Sequence, residues 1–337
     1  MLIKLFIFDP PYLRRKLTHV DVWGLGMLAV GVGALQIMLD KGQEDDWFSS
    51  HLIVTLTIVA AIMLTLFVIH ELRTPQPVVH LKLFKHRTYA AGVGLITVLG
   101  MVLYGSTVAL PLLLQTLMGY TAEVAGMLTS PRGIGTLIFM PIAGLLLGRR
   151  WDARMLITGG LVIASASLFA FSNLTLQAGV WHLAWLGIWQ GTGFAFIFVP
   201  LTTATMDPIP REEMGFAAGI YSLTRNIGGS LGIAFTTTLI ARRTQFHQSR
   251  LSTSLSTYDS VTRDMLAQAR GLFMAHGADP VTAARQALAQ TYALLGQQAA
   301  YMSYMDVFHV LAVTFLLMTP VAWVMRKPRT GQVVVAE

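Results

Sequence analysis

Two places in this chain set a chemically active side chain in apolar surroundings. The first is Arg225, followed by Asn226, in the middle of the stretch 215–240, GFAAGIYSLTRNIGGSLGIAFTTTLI. A helix of that length crosses a hydrocarbon layer of ~30 Å. A charge at its centre costs ~2.5–3.5 kcal/mol even on the lenient insertion scale, so the guanidinium must face a cavity or a partner. It either bonds a backbone carbonyl or carboxylate and holds two helices together, or it belongs to a transport pathway. The second place is Asp306 and His309. Three positions apart, they are neighbours on a helix and form a candidate proton-titrating pair. They also lie near the outer end of the last apolar stretch, where a helix-entry salt bridge is the alternative.

Other chemistry is absent. The chain has no cysteine, which excludes disulfides and thiolate metal sites. Its nine histidines are scattered, with no HExxH spacing. There is no GxxxxGK[ST], no GxSxG and no complete GxGxxG. The expectation is therefore no cofactor, no metal site, no enzyme and no ATP-driven pump. The pairs Gly31/Gly33, Gly133/Gly135 and Gly191/Gly193 lie inside apolar stretches and read as helix-packing glycines.

The elements that position these residues are set by composition. The 337 residues are 54% hydrophobic and 12% charged, against about 25% charged in soluble domains. The expected class is an all-α, multi-pass membrane protein. Net charge is +7, but most basic residues stand in short clusters between apolar runs, where topology signals belong. Nucleic acid is not expected as a partner. The lipid bilayer is.

Eight spans are expected, at 20–39, 52–69, 89–117, 124–147, 155–171, 180–206, 215–240 and 303–325. Pro131 and Pro141 should bend the fourth. In the seventh, Phe216, Ile220, Leu223, Ile227, Leu231 and Phe235 form a bulky stripe, and Ala218, Ser222, Arg225, Gly229, Gly232 and Thr236 a small one. Gly215/Gly219 and Gly228/Gly232 have the Gly-xxx-Gly spacing of closely packed membrane helices. Between the last two spans lies a polar insertion, 241–302. Asp279-Pro280 reads as a helix start. Val281, Ala284, Leu288, Tyr292, Leu295 and Ala299 then recur at helical spacing. An earlier helix over 258–275 carries Val261, Met265, Ala269 and Leu272 on one face. The insertion reads as a helical cap on the bundle.

Lysine and arginine in short loops set the orientation. With Arg14, Arg15 and Lys16 in the cytoplasm, the inside loops hold Arg73, Lys82, Lys85 and Arg87, then Arg149, Arg150 and Arg154, then Arg211, then Arg326, Lys327 and Arg329. The short outside loops hold Lys41 alone, and the insertion falls outside.

Several runs then resemble a known family. VGALQIMLDKGQEDDWFSS is similar to the seventh helix and following loop of EmrB/QacA-type drug:proton antiporters, the fourteen-span branch of the major facilitator superfamily. SPRGIGTLIFMPIAGLLLGR, GIWQGTGFAFIFVPLTT, GIYSLTRNIGGSLGIAFTTTLIARRTQFHQ and YMSYMDVFHVLA resemble its later helices, in order. The insertion before the last helix fits the EmrB side of the family.

The resemblance implies a partial facilitator fold. Residues 1–17 are the remnant of a preceding helix and linker, 18–88 a linker helix pair with its cytoplasmic loop, 89–240 with 303–326 the C-terminal six-helix half, 241–302 the extracytoplasmic insertion and 327–337 a cytoplasmic tail. It also implies that the N-terminal half is missing, with its share of proton coupling, so that the chain is a fragment inactive alone. Function is expected to be efflux of small apolar or cationic drug-like compounds by alternating access, driven by the proton gradient, in a bacterial cytoplasmic membrane. A periplasmic adaptor of a tripartite system is a further expected partner. The alternatives are export of a dedicated metabolite and a non-transporting membrane subunit.

In such transporters the site lies near the midplane between the halves. Substrate-pathway candidates are Tyr104, Gln115, Arg132, Gln190, Tyr221, Arg225 and Asn226, with Asp306 and His309 for proton coupling. Tyr104 and Tyr221 read alternatively as packing residues, Gln190 as an interhelical bond and Arg132 as a snorkelling side chain. Arg149, Arg150, Asp152 and Arg154 match the cytoplasmic gate loop. That loop usually carries an aspartate just before the arginine, where this chain has Gly148.

Overall fold

The fold was examined in a computed structural model that describes residues 21–74, 79–254 and 260–325. Expectations for Arg14, Arg15, Lys16, Arg326, Lys327, Arg329 and the tail 327–337 fall outside these residues. The helices are α1 (Val22–Lys41), α2 (His51–Arg73), α3 (Arg87–Thr116), α4 (Ala122–Thr129), α5 (Pro131–Gly148), α6 (Ala153–Phe171), α7 (Val180–Met206), α8 (Met214–Ser254), α9 (Ser260–Ala275) and α10 (Pro280–Val324).

Apolar length decides which of these can span a bilayer. Among the described residues, seven stretches are long and apolar enough: α1, α2, α3, α4 with α5, α6, α7 and α10. The remaining expected span is the first part of α8. It has the length, but Ser222, Thr224, Arg225 and Asn226 dilute its apolar run. The fourth span breaks at Ser130, because Pro131 has no N–H to continue the ladder.

α3, α5, α6, α7, α8 and α10 form the bundle, and α1 and α2 a hairpin laid on it through α1 and α8. The core is built on Tyr89, Ile96, Leu113, Leu114, Ile157, Leu168, Phe171, Phe308 and Phe315, all nearly inaccessible. Glycine permits the close crossing of α3 and α8. A methyl group on Gly228 would strike the Thr97 carbonyl, and one on Gly232 that of Met101, so α8 and α3 meet backbone to backbone. Gly215 and Gly219 border open space and meet no other helix among the described residues.

The insertion is not separate from the bundle. α8 runs on past 240, and α10 runs unbroken through 302/303, so both expected boundaries lie inside continuous helices. Asp279 caps α10 by accepting from the N–H groups of Val281 and Thr282 at 3.0 and 3.1 Å. The face of α10 that packs inward is Ala283, Ala287, Thr291, Leu295 and Ala299. Of the expected stripe only Leu295 and Ala299 are buried, while Val281, Ala284, Leu288 and Tyr292 face outward. Alanine and threonine admit close helix contact, which explains the choice of face.

Candidate functional site

α7 organises the polar centre of the bundle. Phe194 and Phe198 are one turn apart on it, and each carries an arginine from a different helix. The Arg132 guanidinium of α5 lies 6.0 Å from the Phe194 ring. That of Arg225, from α8, lies 5.8 Å from Phe198. Both distances are within cation–π range, and a ring face is among the few partners an apolar helix can offer a cation.

Arg132 also donates to two hydroxyls of α3, Ser106 Oγ at 3.3 Å and Thr107 Oγ1 at 2.7 Å. A small cavity of about 10 Å³ opens beside it, lined by Ser106, Thr107, Thr129, Arg132 and Gln190 among others. Gln190 is 2% exposed. Its amide has no hydrogen-bond partner among the described residues. The structure thus brings Arg132 and Gln190 together, with Ser106 and Thr107 as residues that sequence reasoning missed. No spacing signal links positions 26 residues apart on two helices.

One turn from Arg225, the Tyr221 hydroxyl shares a hydrogen bond of 3.1 Å with Thr202 of α7. Among the described residues Arg225 bonds no carbonyl or carboxylate, and its Nε is buried without a hydrogen bond. The expectation of an interhelical hydrogen bond is corrected here. Its own backbone carbonyl lies against Gly100 of α3, while its side chain reaches Phe198 of α7. Tyr104 packs its ring against Gly229 and stays half exposed. Gln115 and Asn226 are exposed, without side-chain hydrogen bonds among the described residues.

Asp306 and His309 do not pair with each other. Asp306 Oδ2 meets His247 Nε2 at 2.7 Å and Arg243 Nε at 3.2 Å, both from α8. His309 meets Phe169 of α6 edge to face, 5.1 Å between centroids. A titratable pair therefore exists at this level, but it joins two helices instead of two turns of one. Arg243 and His247, four apart on the continuation of α8, were hidden because that helix was expected to end at 240.

On the opposite end of the bundle, Arg149 and Arg150 close α5. Arg150 takes a left-handed conformation, φ 65°. Its N–H donates to Leu147 and that of Trp151 to Leu146, the Schellman pattern. Asp152 caps α6 by accepting from the Arg154 N–H at 3.1 Å and lies 3.5 Å from Arg154 Nε. The Arg154 guanidinium also stands 6.0 Å from Trp323 of α10. The loop's charges are thus used locally.

Residues 19–233 match the family model described as Major Facilitator Superfamily. The chain belongs to that superfamily. Within the superfamily it is 33% identical over 317 residues to the multidrug export protein EmrB of Escherichia coli K12, covering 94% of this chain and 60% of that protein. It is 31% identical over 312 residues to the fatty acid resistance protein FarB of Neisseria gonorrhoeae, covering 92% and 60%. It is 33% identical over 228 residues to the multidrug resistance protein Stp of Mycobacterium tuberculosis, covering 68% and 42%. The chain thus spans about 60% of the length of the first two of these relatives. Facilitator membership and its relatives make it a multi-pass protein of the bacterial cytoplasmic membrane, from a family of transporters.

Proposed function

We propose that this chain takes part in proton-driven efflux of small, largely apolar compounds. It supplies one six-helix half and the linker hairpin of an alternating-access transporter. The observation that supports this best is its likeness, along 94% of its length, to a multidrug export protein. The geometry is compatible: aromatic rings, amides and guanidiniums gather inside the spans, where transporter sites lie.

In this proposal Arg132, Gln190, Tyr221 and Arg225 border the substrate path at α7. Asp306 with His247 exchanges protons at the outer level, and the loop 149–154 closes against the cytoplasm. An extracytoplasmic adaptor is proposed as partner, because Val281, Leu288 and Tyr292 stand exposed on the extension of α10.

The test uses two proteins in everted vesicles. One is this polypeptide alone. The other is the same polypeptide fused behind the N-terminal part of EmrB with which it does not align. The fusion is expected to drive dye efflux that stops when the proton gradient is collapsed, and this polypeptide alone is expected to drive none, because alternating access rocks one repeat against another. Efflux by this polypeptide alone contradicts the two-part proposal. A fusion present at normal abundance that neither binds nor moves dye contradicts efflux.

A further inference from the structure

α1 and α8 meet without filling the cleft between them. A cavity of about 320 Å³ remains there, lined by Leu39 of α1, by Trp47 of the loop that follows and by Leu231, Phe235, Thr238 and Arg242 of α8 among others. Sites for small ligands begin at about this volume. The cleft lies at membrane depth, because α1 is a span and Leu231 and Phe235 belong to the apolar run of α8. Both of these α8 side chains are exposed, so what touches them there is hydrocarbon.

The lining is ordered along α8. From Leu231 to Arg242 the helix rises about 16 Å at 1.5 Å per residue, close to one leaflet of a ~30 Å hydrocarbon layer. Leu231 and Phe235 occupy the deep part. Thr238 stands one turn below Arg242. Its neighbour Thr237 donates to the Ile233 carbonyl at 3.0 Å, one turn back, whereas the Thr238 hydroxyl is buried with no hydrogen bond among the described residues. A turn of χ1 offers that hydroxyl to a ligand. Arg242 is exposed and forms no hydrogen bond or ion pair among the described residues. Trp47 is held at the rim: its indole N–H donates to Gln43 Oε1 at 3.3 Å, and its ring lies against Gly42, where a methyl group would collide with it. Tryptophan and arginine at one level mark a membrane–water interface.

A diacyl glycerophospholipid has the same order, with phosphate outermost, ester carbonyls a few bonds below it and acyl chains beneath. Arg242 suits the phosphate, Thr238 an ester carbonyl, and Leu39, Leu231 and Phe235 a chain. The charge of the rim selects the headgroup. Glu44, Asp45 and Asp46 directly precede Trp47, with Asp40 and Lys41 at the end of α1, and none of these carboxylates pairs with Arg242. The rim is therefore positive on α8 and net negative on the loop. A zwitterionic headgroup meets both, with its phosphate on Arg242 and its ammonium toward the carboxylates, while the loop repels an anionic one.

We propose that this cleft holds one zwitterionic diacyl glycerophospholipid from the leaflet that the loop faces, as a fixed part of the contact between hairpin and bundle. The site is separate from the path at α7 and does not depend on the efflux reading.

The test is native mass spectrometry of the chain released from maltoside micelles and titrated with dioleoylphosphatidylethanolamine, dioleoylphosphatidylglycerol or dioleoylglycerol. The ethanolamine lipid is expected to bind about tenfold tighter than either of the others, the scale of one charge-assisted bond. Arg242→Gln should bring it down to the level of dioleoylglycerol. Thr238→Val should weaken all three alike, since all carry the esters. Leu231→Trp fills the cleft and should abolish binding, while Leu137→Trp, on the exposed face of α5, should leave it unchanged. Replacing Glu44, Asp45 and Asp46 by their amides should raise phosphatidylglycerol to the level of the ethanolamine lipid.

Dioleoylglycerol bound as tightly as the ethanolamine lipid overturns the proposal and leaves an apolar cleft without headgroup recognition. Phosphatidylglycerol bound more tightly overturns it as well. So does undiminished binding by a Leu231→Trp protein that melts at the unaltered temperature, since the lipid then sits elsewhere. The same titration of the EmrB fusion should keep the ethanolamine preference; its loss there means that the other half covers the cleft, and the proposal falls. Dye efflux by that fusion would stand in each of those cases, so the two proposals fail separately.

Discussion

Arg225 illustrates how a membrane helix accommodates a charge against a ring face. With its carbonyl against Gly100 and its guanidinium over Phe198, it spans the gap between α3 and α7. A cation–π contact out of water is worth roughly 1–2 kcal/mol, which corresponds to about a tenfold effect. Arg225→Lys should therefore lower efflux in the assembled transporter, because lysine loses the planar, five-donor fork. Arg225→Ala should lower it further, by about tenfold, while membrane abundance holds, since removing the charge lowers the insertion cost. Phe198→Leu should match Arg225→Lys if the ring is the partner. Normal efflux in Arg225→Ala at normal abundance would leave the residue no role beyond occupying space. Arg150 is the converse case, a side chain in a glycine-type position. A left-handed L-residue costs about 1–2 kcal/mol, so Arg150→Gly is expected to raise the melting temperature slightly, part of the gain being returned to the freer unfolded chain.

At the scale of helices, the α3–α8 crossing is a contact that only glycine admits. Gly228→Ile must push a branched side chain into the Thr97 carbonyl, and backbone cannot move aside as a rotamer can. A loss of about 1–3 kcal/mol is expected, read as a lower melting temperature, whereas Gly219→Ile should be neutral because nothing borders it. The N-terminus of α10 supplies a pH prediction. The Thr282 hydroxyl, then the Thr282 and Val281 N–H groups, hold the Asp279 carboxyl below the usual carboxylate range. A depressed folded pKa means that the cap stabilises above the ordinary aspartate value and is lost as the pH falls through the lowered one. Protection of the Val281 and Thr282 amides, taken against the intrinsic exchange rate at each pH, should fall as the pH drops below about 4, and Asp279→Ala should show the low protection already at neutral pH.

Some of this was legible in the sequence. Pro131 removes a donor, Asp279-Pro280 is a cap followed by a fixed φ, and Gly228/Gly232 has the spacing of a contact; each is a local rule with a local outcome. The inward face of α10 was not legible. Periodicity counts Ala287 and Leu288 alike as apolar, and only the neighbouring helix decides that the smaller one goes inside. Nor was His247, whose partner Asp306 lies 59 positions away. Gly215/Gly219 has the same spacing but meets no helix among the described residues, since a spacing permits close approach and does not itself supply a partner.

For the molecule as a whole, orientation is the expectation with the widest consequences. The native chain has no cysteine, so single cysteines report cleanly. Ser49→Cys should react with an impermeant maleimide from the outside, and Thr88→Cys only from the cytoplasm, to the extent that its buried position admits reagent. Ser49 labelled only from the cytoplasm would invert the arrangement of loops and place the extension of α8 and α10 inside the cell.

That extension has a mechanical consequence. α8 and α10 hold 41 and 45 residues, so at 1.5 Å per residue they are about 60 and 70 Å long, roughly twice the ~30 Å hydrocarbon layer. They are tied together at the outer end of the last apolar span by His247–Asp306 and by Thr244 donating to Ser303 at 2.9 Å. Such a pair is a lever with its fulcrum at the membrane surface. A tilt of about 10° within the bilayer would swing a free end about 30 Å away by about 5 Å. Spin labels at Ser252 and Leu176 should therefore show a distance that changes with substrate or pH, magnifying a displacement too small to resolve at Arg132 itself.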